Sequence, residues 1–169
     1  MSEASKSGEG PPRDANSAPT GGSAAATPQA WGGDISVEQV QALIARGPFH
    51  QWLGIEVLTV GEGEIEIRAT WRDEWVVNPD RRYTHGGILA ALVDLTADWA
   101  LVSRTGRGVP TIDMRIDYHR AAMPGDLLAR GKLVKWGSQY SVSEAQVFDK
   151  DGALVASGRG VYFTAPPKA

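Results

Sequence analysis

Cysteine is absent from the 169 residues of the sequence. Its absence excludes disulfide bonds, thiolate metal ligands and a cysteine nucleophile, and it is compatible with a reducing compartment. The three histidines, His50, His85 and His119, do not have the spacing of a metal-binding motif, so no metal is expected. The Gly-x-Ser-x-Gly sequence of one large class of serine hydrolases is also missing.

Long apolar runs and an excess of basic charge are missing too. No stretch reaches the roughly 18 apolar residues that would predict a membrane span, and the first residues lack the basic start and apolar run of a signal peptide. A net charge of −3 gives no support for nucleic-acid binding. We therefore expect a cytoplasmic protein that has neither a membrane nor a nucleic acid as its partner.

The first 34 residues differ in composition from the rest of the chain. Gly, Ala, Ser and Pro occupy 22 of these 34 positions. Such a segment has too little apolar surface to offset its ordering entropy, so residues 1–34 are predicted to be a disordered tail. Trp31 is its only aromatic residue, and one interpretation gives Trp31 a docking role. A single folded domain is predicted for residues 35–165.

The domain begins with a short amphipathic helix that has Ser36 as its N-cap and Gly47 as its stop. The segments "GIEVLTV" and "EIEIRATW" then have the character of strands. Residues 85–103, "HGGILAALVDLTADWALVS", are apolar almost all round and predict a buried helix. Three or four strands follow. The order predicts an α+β fold in which an antiparallel sheet of five or six strands wraps around one long central helix. Since the sheet covers only part of that helix, a second copy of the chain is expected to cover the rest.

The start of the long helix carries His85, Gly86 and Gly87. The first N–H groups of a helix have no intrahelical acceptor and lie at the positive end of its dipole. Glycines at this point let a ligand approach the backbone closely. The segment therefore suits an anion or oxyanion site, and the alternative is that the glycines only form a tight strand-to-helix turn.

Two carboxylates, Asp94 and Asp98, interrupt the apolar helix. A carboxylate among apolar neighbours must find a partner, become neutral or face a cavity. Because burial raises the pKa of a carboxyl group, Asp94 would make a good base there. The alternative is an ion pair between Asp94 and an arginine of the sheet. Asp98, one turn further on, is interpreted as structural.

Gly86 and Asp94 are too far apart to act together within one helix. Eight residues at 1.5 Å per residue separate them by about 12 Å along the axis, whereas a base must lie within about 3 Å of the proton that it takes. Two antiparallel copies of the helix would bring Gly86 of one chain close to Asp94 of the other. A shared site of this kind requires a dimer.

At these residues the sequence resembles a known family, the hotdog-fold acyl-CoA thioesterases of the PaaI-like branch of the 4-hydroxybenzoyl-CoA thioesterase superfamily. The resemblance rests on Asn78, on His85-Gly86-Gly87, on Asp94 nine residues after the histidine, and on the later segments "TIDM" and "PGD". It extends from about Gly54 to Phe163 and does not include the tail.

The resemblance implies roles for five catalytic residues. Asp94 activates water or attacks the thioester carbonyl, and the Gly86 N–H holds the oxyanion. His85 positions the motif or contacts the thioester, Asn78 orients substrate or water, and Thr111 helps to hold the attacking water. Asn78 stands seven residues before His85, where the family pattern has about six. By strand alternation Thr111 falls on the polar side, so it is expected to face the dimer cleft rather than the core.

The implied substrate is an acyl-CoA, and the reaction needs no cofactor. Gly87, Arg81 and Arg82 are the candidate substrate-binding residues. Arg104 and Arg107 are further candidates for the coenzyme A phosphates, although lone surface arginines are often only solvated. The expected assembly is a homo-oligomer, either a dimer or a dimer of dimers. Two other functions stay open: a hotdog hydratase or dehydratase, although "VVNPDRRYTH" lacks the Asp-x-Asn-Pro-x-His pattern of one such branch, and a non-catalytic acyl-CoA-binding module.

Overall fold

The structure, a computed structural model, describes residues 35–165. The predicted tail of residues 1–34, with Trp31, lies outside the described residues. In chain order the elements are α1 (Val37–Ile44), α2 (Pro48–Trp52), β1 (Ile55–Gly61), β2 (Glu64–Ala69), a 3-10 helix (Asp73–Trp75), α3 (Gly86–Trp99), α4 (Val102–Thr105), β3 (Thr111–Tyr118), β4 (Leu127–Lys135), β5 (Tyr140–Phe148) and β6 (Leu154–Phe163). No helix within residues 35–165 is long and apolar enough to cross a membrane.

The six strands form one antiparallel sheet in the order β1-β2-β4-β5-β6-β3. In β2 the side chains of Ile65, Ile67 and Ala69 are buried, while Glu64 and Arg68 are exposed, as the period-2 alternation predicts. The α+β prediction with five or six strands around one long helix is confirmed. Strands β1 and β3 are the two edges of the sheet within the described chain.

Helix α3 crosses the inner face of the sheet and packs against it closely. Leu92, Val93 and Ala97 of the helix are fully buried. The helix backbone lies against Gly131 of β4, where an added Cβ would overlap the Thr96 carbonyl oxygen. The absence of a side chain at Gly131 therefore sets how near α3 can come to the sheet.

The helical region differs from the prediction at its end. Instead of one helix over residues 85–103, α3 ends at Trp99, and the short α4 ends at Thr105 and is followed by Gly106, whose φ is +65°. A residue in the left-handed region stops a helix, and glycine adopts that conformation at little cost. The first helix begins as expected, because Ser36 and Gln39 form a capping box. Helix α2 was not predicted.

Candidate active site

His85 is the N-cap of α3 and fixes the backbone at the start of the helix. Its own N–H donates to the Trp75 carbonyl at 2.7 Å, and its Nδ1 accepts from the Gly87 N–H at 2.8 Å. An added Cβ at Gly87 would lie 2.9 Å from that Nδ1. Gly87 therefore makes room for the imidazole, and its N–H is already engaged. With Nδ1 as the acceptor, a neutral ring carries its proton on Nε2 and can donate it to a ligand.

Gly86 presents the backbone N–H that stays available. It has no hydrogen-bond acceptor among residues 35–165, and it lies in the first turn of α3, where the helix dipole places partial positive charge. The Tyr118 hydroxyl, from β3, donates to the Gly86 carbonyl at 3.2 Å. An added Cβ at Gly86 would lie 3.3 Å from the Tyr118 ring. The Gly86 N–H therefore lies in a site that the Tyr118 ring bounds on one side.

Asp94 projects from the middle of α3 and is only partly buried. Its Oδ1 accepts from Thr111 Oγ1 at 2.9 Å, and the Tyr162 hydroxyl lies 3.4 Å from the same oxygen and 3.3 Å from the Asp94 carbonyl. In the described part of the chain no arginine or lysine forms an ion pair with Asp94. Hydroxyl groups thus hold this carboxylate, and the alternative of an ion pair with the sheet is wrong within residues 35–165.

Thr111 reaches Asp94 because β3 is irregular. The pairing of β3 with β6 shifts between Thr111 and Asp113. A β-bulge of this kind re-aims the side chains around the extra residue. Thr111 accordingly contacts α3 of its own chain, whereas Ile112, which alternation placed with the apolar residues, is 57% exposed. Strand alternation therefore placed Ile112 wrongly with the buried apolar residues at this end of β3.

Asp98 has a different environment from Asp94. Its Oδ1 accepts from the Val109 N–H at 2.8 Å, which ties the segment before β3 to α3. Burial raises the pKa of Asp98 to about 7; the Val109 hydrogen bond opposes this rise, the charge of Asp94 adds to it, and Arg107 opposes it. These contacts fit the structural role expected for Asp98.

Asn78 closes a turn rather than pointing freely into the site. Its Oδ1 accepts from the N–H groups of Asp80 and Arg81 at 3.0 Å and 2.9 Å. Arg82, in the same turn, has a φ of +57°, a left-handed conformation unusual for a non-glycine residue. The Asn78 amide nitrogen has no hydrogen-bond partner among the described residues, so only that end of the side chain is available to a substrate.

The four candidate arginines differ in what they already contact. Arg82 pairs with Asp73 at 2.6 Å and Arg104 with Glu62 at 2.6 Å. Arg107 donates to backbone carbonyls, including that of Ala165 at 3.2 Å. The exposed Arg81 side chain has no such partner in residues 35–165. Arg81 is therefore the arginine best placed to gain a contact from a ligand without losing one.

Tyr162 is the residue near Asp94 that the sequence did not single out. It lies on β6, is fully buried and stands 68 positions away from Asp94 in the chain. In the sequence it looks like any core aromatic residue of a strand. Its one signal is Gly160 two positions earlier, where an added Cβ would lie 2.5 Å from the Tyr162 hydroxyl.

The three histidines of the sequence contact different parts of the fold. His50 Nδ1 contacts the Ile44 carbonyl at 3.0 Å, and His119 Nε2 contacts Ser157 Oγ at 2.9 Å. Within residues 35–165, no group of three or more His, Asp or Glu side chains is arranged to hold a metal ion.

Comparison with known proteins identifies the family. The family model described as the thioesterase superfamily matches residues 82–156. The X-ray structure of a protein from the thioesterase superfamily is 47% identical in sequence, covers 75% of this chain and 96% of its own, and has a TM-score of 0.73. The chain therefore belongs to the thioesterase superfamily. This result confirms the predicted family, the hotdog fold and the thioesterase class of enzyme.

Two more distant relatives agree with this assignment. The medium/long-chain acyl-CoA thioesterase YigI of Salmonella typhimurium is 23% identical over 130 residues, which is 68% of this chain and 84% of YigI. The PaaI protein from the phenylacetic acid degradation operon of E. coli is 22% identical, with a TM-score of 0.66 over 78% of this chain and 97% of PaaI. At this identity the likeness to PaaI concerns the fold.

Proposed function

We propose that this protein hydrolyses an acyl-CoA thioester to the free acid and coenzyme A. The observation that carries the proposal is the environment of Asp94: a partly exposed carboxylate on a largely apolar helix, held by two hydroxyl groups and paired with no cation among the described residues. A carboxylate that is oriented but not neutralised can act as a base or a nucleophile.

In the proposed reaction, water or the carboxylate attacks the thioester carbonyl. If water attacks, Asp94 takes its proton and passes it to the coenzyme A sulfur as the C–S bond breaks, so that the thiol leaves. If the carboxylate attacks, the C–S bond breaks to give an acyl–Asp94 anhydride and a thiolate that takes a proton from solvent, and water then hydrolyses the anhydride to the free acid and restores the carboxylate. The tetrahedral intermediate carries a negative charge on the former carbonyl oxygen, and the Gly86 N–H is the proposed donor to it. One such donor contributes about 10²–10³ in rate, and a well-placed base about 10²–10⁴. This chemistry requires no cofactor.

Each site of the proposed enzyme is shared by two chains. The 14 residues of α3 place Gly86 at its start and Asp94 more than two turns further along, so an antiparallel partner helix is needed to supply the missing group. Edge strand β3 supports this assembly, because an unpaired edge with exposed Ile112 and Tyr118 favours pairing with another chain. The proposed assembly is a dimer or a dimer of dimers.

The proposed substrate contacts are polar groups with free donors. Nε2 of His85 and the amide nitrogen of Asn78 are proposed to contact the thioester region or the attacking water. Arg81 is proposed to contact a phosphate of coenzyme A, and Arg82 to do so only by leaving Asp73. Because the relative YigI is named a medium/long-chain acyl-CoA thioesterase, medium-chain and long-chain acyl-CoAs are the first substrates to test.

The test is thiol release from a panel of acyl-CoAs of different chain lengths. Wild-type protein should turn over at least one of them, and Asp94→Asn should lower kcat at least about 100-fold, because it keeps the side-chain shape and removes the base. The matched control is Asp151→Asn, which makes the same change at an exposed turn and should leave kcat unaltered.

Other outcomes assign a different function or mechanism. A well-folded wild-type protein that binds acyl-CoAs without turnover would instead be a binding module. Addition of water to an enoyl-CoA, without thiol release, would make it a hydratase. Full activity in Asp94→Asn would support a thioesterase in which Asp94 is neither the base nor the nucleophile.

A further inference from the structure

Two hydroxyl groups from neighbouring strands converge on one oxygen of Asp94. Thr111 of β3 and Tyr162 of β6 are directly paired across the sheet. Thr111 Oγ1 lies 2.9 Å from Asp94 Oδ1, and the Tyr162 hydroxyl lies 3.4 Å from the same atom. Oδ2 of Asp94 has no hydrogen-bond partner within residues 35–165. The two oxygens of the carboxylate are therefore not equivalent.

We propose that Tyr162 is a positioning residue: with Thr111 it holds Oδ1 of Asp94, and it leaves Oδ2 as the oxygen that meets the attacking water or the thioester carbonyl. This inference rests on the proposed function of Asp94. Tyr162 itself is fully buried and contacts Asp94, so it acts through that residue.

The surroundings of Tyr162 favour this role over simple core packing. Gly160, on the same strand, has no side chain where the ring and hydroxyl of Tyr162 lie, and a Cβ there would come within 2.5 Å of the hydroxyl. The hydroxyl also lies 3.3 Å from the Asp94 carbonyl. The ring is therefore seated with its polar end at the one residue of α3 that is proposed to react.

The hydroxyl keeps its proton and so stays a donor. Burial is the largest cause that raises the pKa of Tyr162 well above its ordinary value, and the negative charges of Asp94 and Asp98, both on α3, raise it further. Thr111, which faces the same oxygen from β3, is uncharged, and Arg107 acts on Asp98 from the segment before β3. A protonated hydroxyl can donate its hydrogen to Asp94, to Oδ1 or to the backbone carbonyl beside it.

The first experiment is Tyr162→Phe, which keeps the ring and removes only the hydroxyl. We expect kcat to fall about tenfold, with KM within about twofold of wild type, since the substrate contacts stay in place. We also expect the acid limb of the kcat/KM profile to move to higher pH by about half a unit to one unit, because a hydrogen bond to the charged form of a carboxyl group favours that form. A loss of packing alone would not move the pH profile.

The matched control is Tyr140→Phe. Tyr140 is 51% exposed, tilts against Phe163 and makes no contact with Asp94. Its kinetics and pH profile should equal those of wild type. Wild-type kcat and an unmoved acid limb in Tyr162→Phe would overturn the inference.

A second readout does not depend on catalysis. Crystal structures of wild type and Tyr162→Phe, both without substrate, should differ in the rotation of the Asp94 carboxylate or in its distance to Thr111 Oγ1. An unchanged carboxylate would count against the positioning role. If the wild type turns over no acyl-CoA, the proposed function fails, whereas this comparison still decides whether Tyr162 orients Asp94.

Discussion

Asp94 and Asp98 lie one turn apart on α3, and their surroundings separate their roles. Asp94 is partly exposed and held by the hydroxyls of Thr111 and Tyr162, whereas Asp98 accepts a backbone N–H from Val109. Burial is the largest influence on the pKa of Asp98 and raises it to about 7. Two carboxylates of the same helix can thus serve different purposes, one in the proposed reaction and one in holding the segment before β3.

The raised pKa of Asp98 predicts a pH-dependent stability. The folded protein keeps a proton on Asp98 up to about pH 7, while the unfolded chain releases it near pH 3.8, the ordinary pKa of an aspartate. The unfolded state therefore binds fewer protons in this range, and the contribution of Asp98 to the free energy of unfolding falls as pH rises from about 4 to 7. Asp98→Asn should remove this fall and be more stable than wild type at pH 8 by about 1–3 kcal/mol. Urea unfolding at pH 4, 6 and 8 measures the difference.

The control for this prediction is Asp80→Asn, the same change at an exposed position. The difference in free energy of unfolding between Asp80→Asn and wild type should not depend on pH. The contrary result is a free energy of unfolding of Asp98→Asn that differs from that of wild type by a constant amount from pH 4 to 8. That result would show that Asp98 ionises normally in the folded protein.

At the residue scale, the sequence reveals those candidate site residues whose type is unusual for the segment in which they lie. Asp94 stands out among apolar neighbours, and His85-Gly86-Gly87 stands out at a helix start. Tyr162 does not stand out, because an aromatic residue fits an alternating strand, and its partner is 68 positions away. Nor does the sequence reveal that His85 occupies the Gly87 N–H and leaves the Gly86 N–H free.

At the scale of elements, the approach of α3 to β4 fixes where Asp94 stands relative to the sheet. The strands with clean alternation, such as β2, follow from the sequence because period-2 burial is a local pattern. The bulge at the start of β3 does not, since it depends on the pairing with β6. That bulge is what turns Thr111 toward Asp94, so a local irregularity completes the candidate site.

Gly131 gives a test of this close approach. In Gly131→Ala the added Cβ would overlap the Thr96 carbonyl oxygen and lie 3.0 Å from Thr96 Cγ2. Because the clash is with helix backbone, α3 must move, and we expect a loss of about 1–3 kcal/mol in the free energy of unfolding. Thermal unfolding monitored by circular dichroism measures it.

Gly61→Ala is the matched control, since its added Cβ would lie an ordinary 3.8 Å from Glu64 Cβ. It should stay within about 0.5 kcal/mol of wild type. Equal melting temperatures for the two variants would mean that the helix does not rest on Gly131.

At the scale of the whole molecule, the described chain supplies both Gly86 and Asp94 but separates them along one helix. The distance between Gly86 and Asp94, about 12 Å along the axis, follows from helix geometry alone. The sequence therefore predicts the need for a partner chain, while the number of chains in the assembly depends on surfaces whose pattern is not local. The exposed edge of β3 is the surface that fits such a partner.

The central claim is that Gly86 of one chain and Asp94 of another form one site, and two complementary variants test it. Gly86→Pro removes the N–H while suiting the first turn of a helix, and the extended backbone of His85 (φ −60°, ψ 133°) tolerates a following proline. Gly86→Ala keeps the N–H and is its control. Asp94→Asn is the complementary variant, because it removes the carboxylate of the proposed site.

The most direct measurement is the thioesterase activity of a purified hybrid dimer with Gly86→Pro in one chain and Asp94→Asn in the other. Two differently tagged chains allow its isolation. If each site is shared, one of the two sites in the hybrid contains both intact groups, so the hybrid should have about half the wild-type activity, although each variant alone is nearly inactive. A hybrid as inactive as its parents would contradict the shared site and place the whole reaction within a single chain.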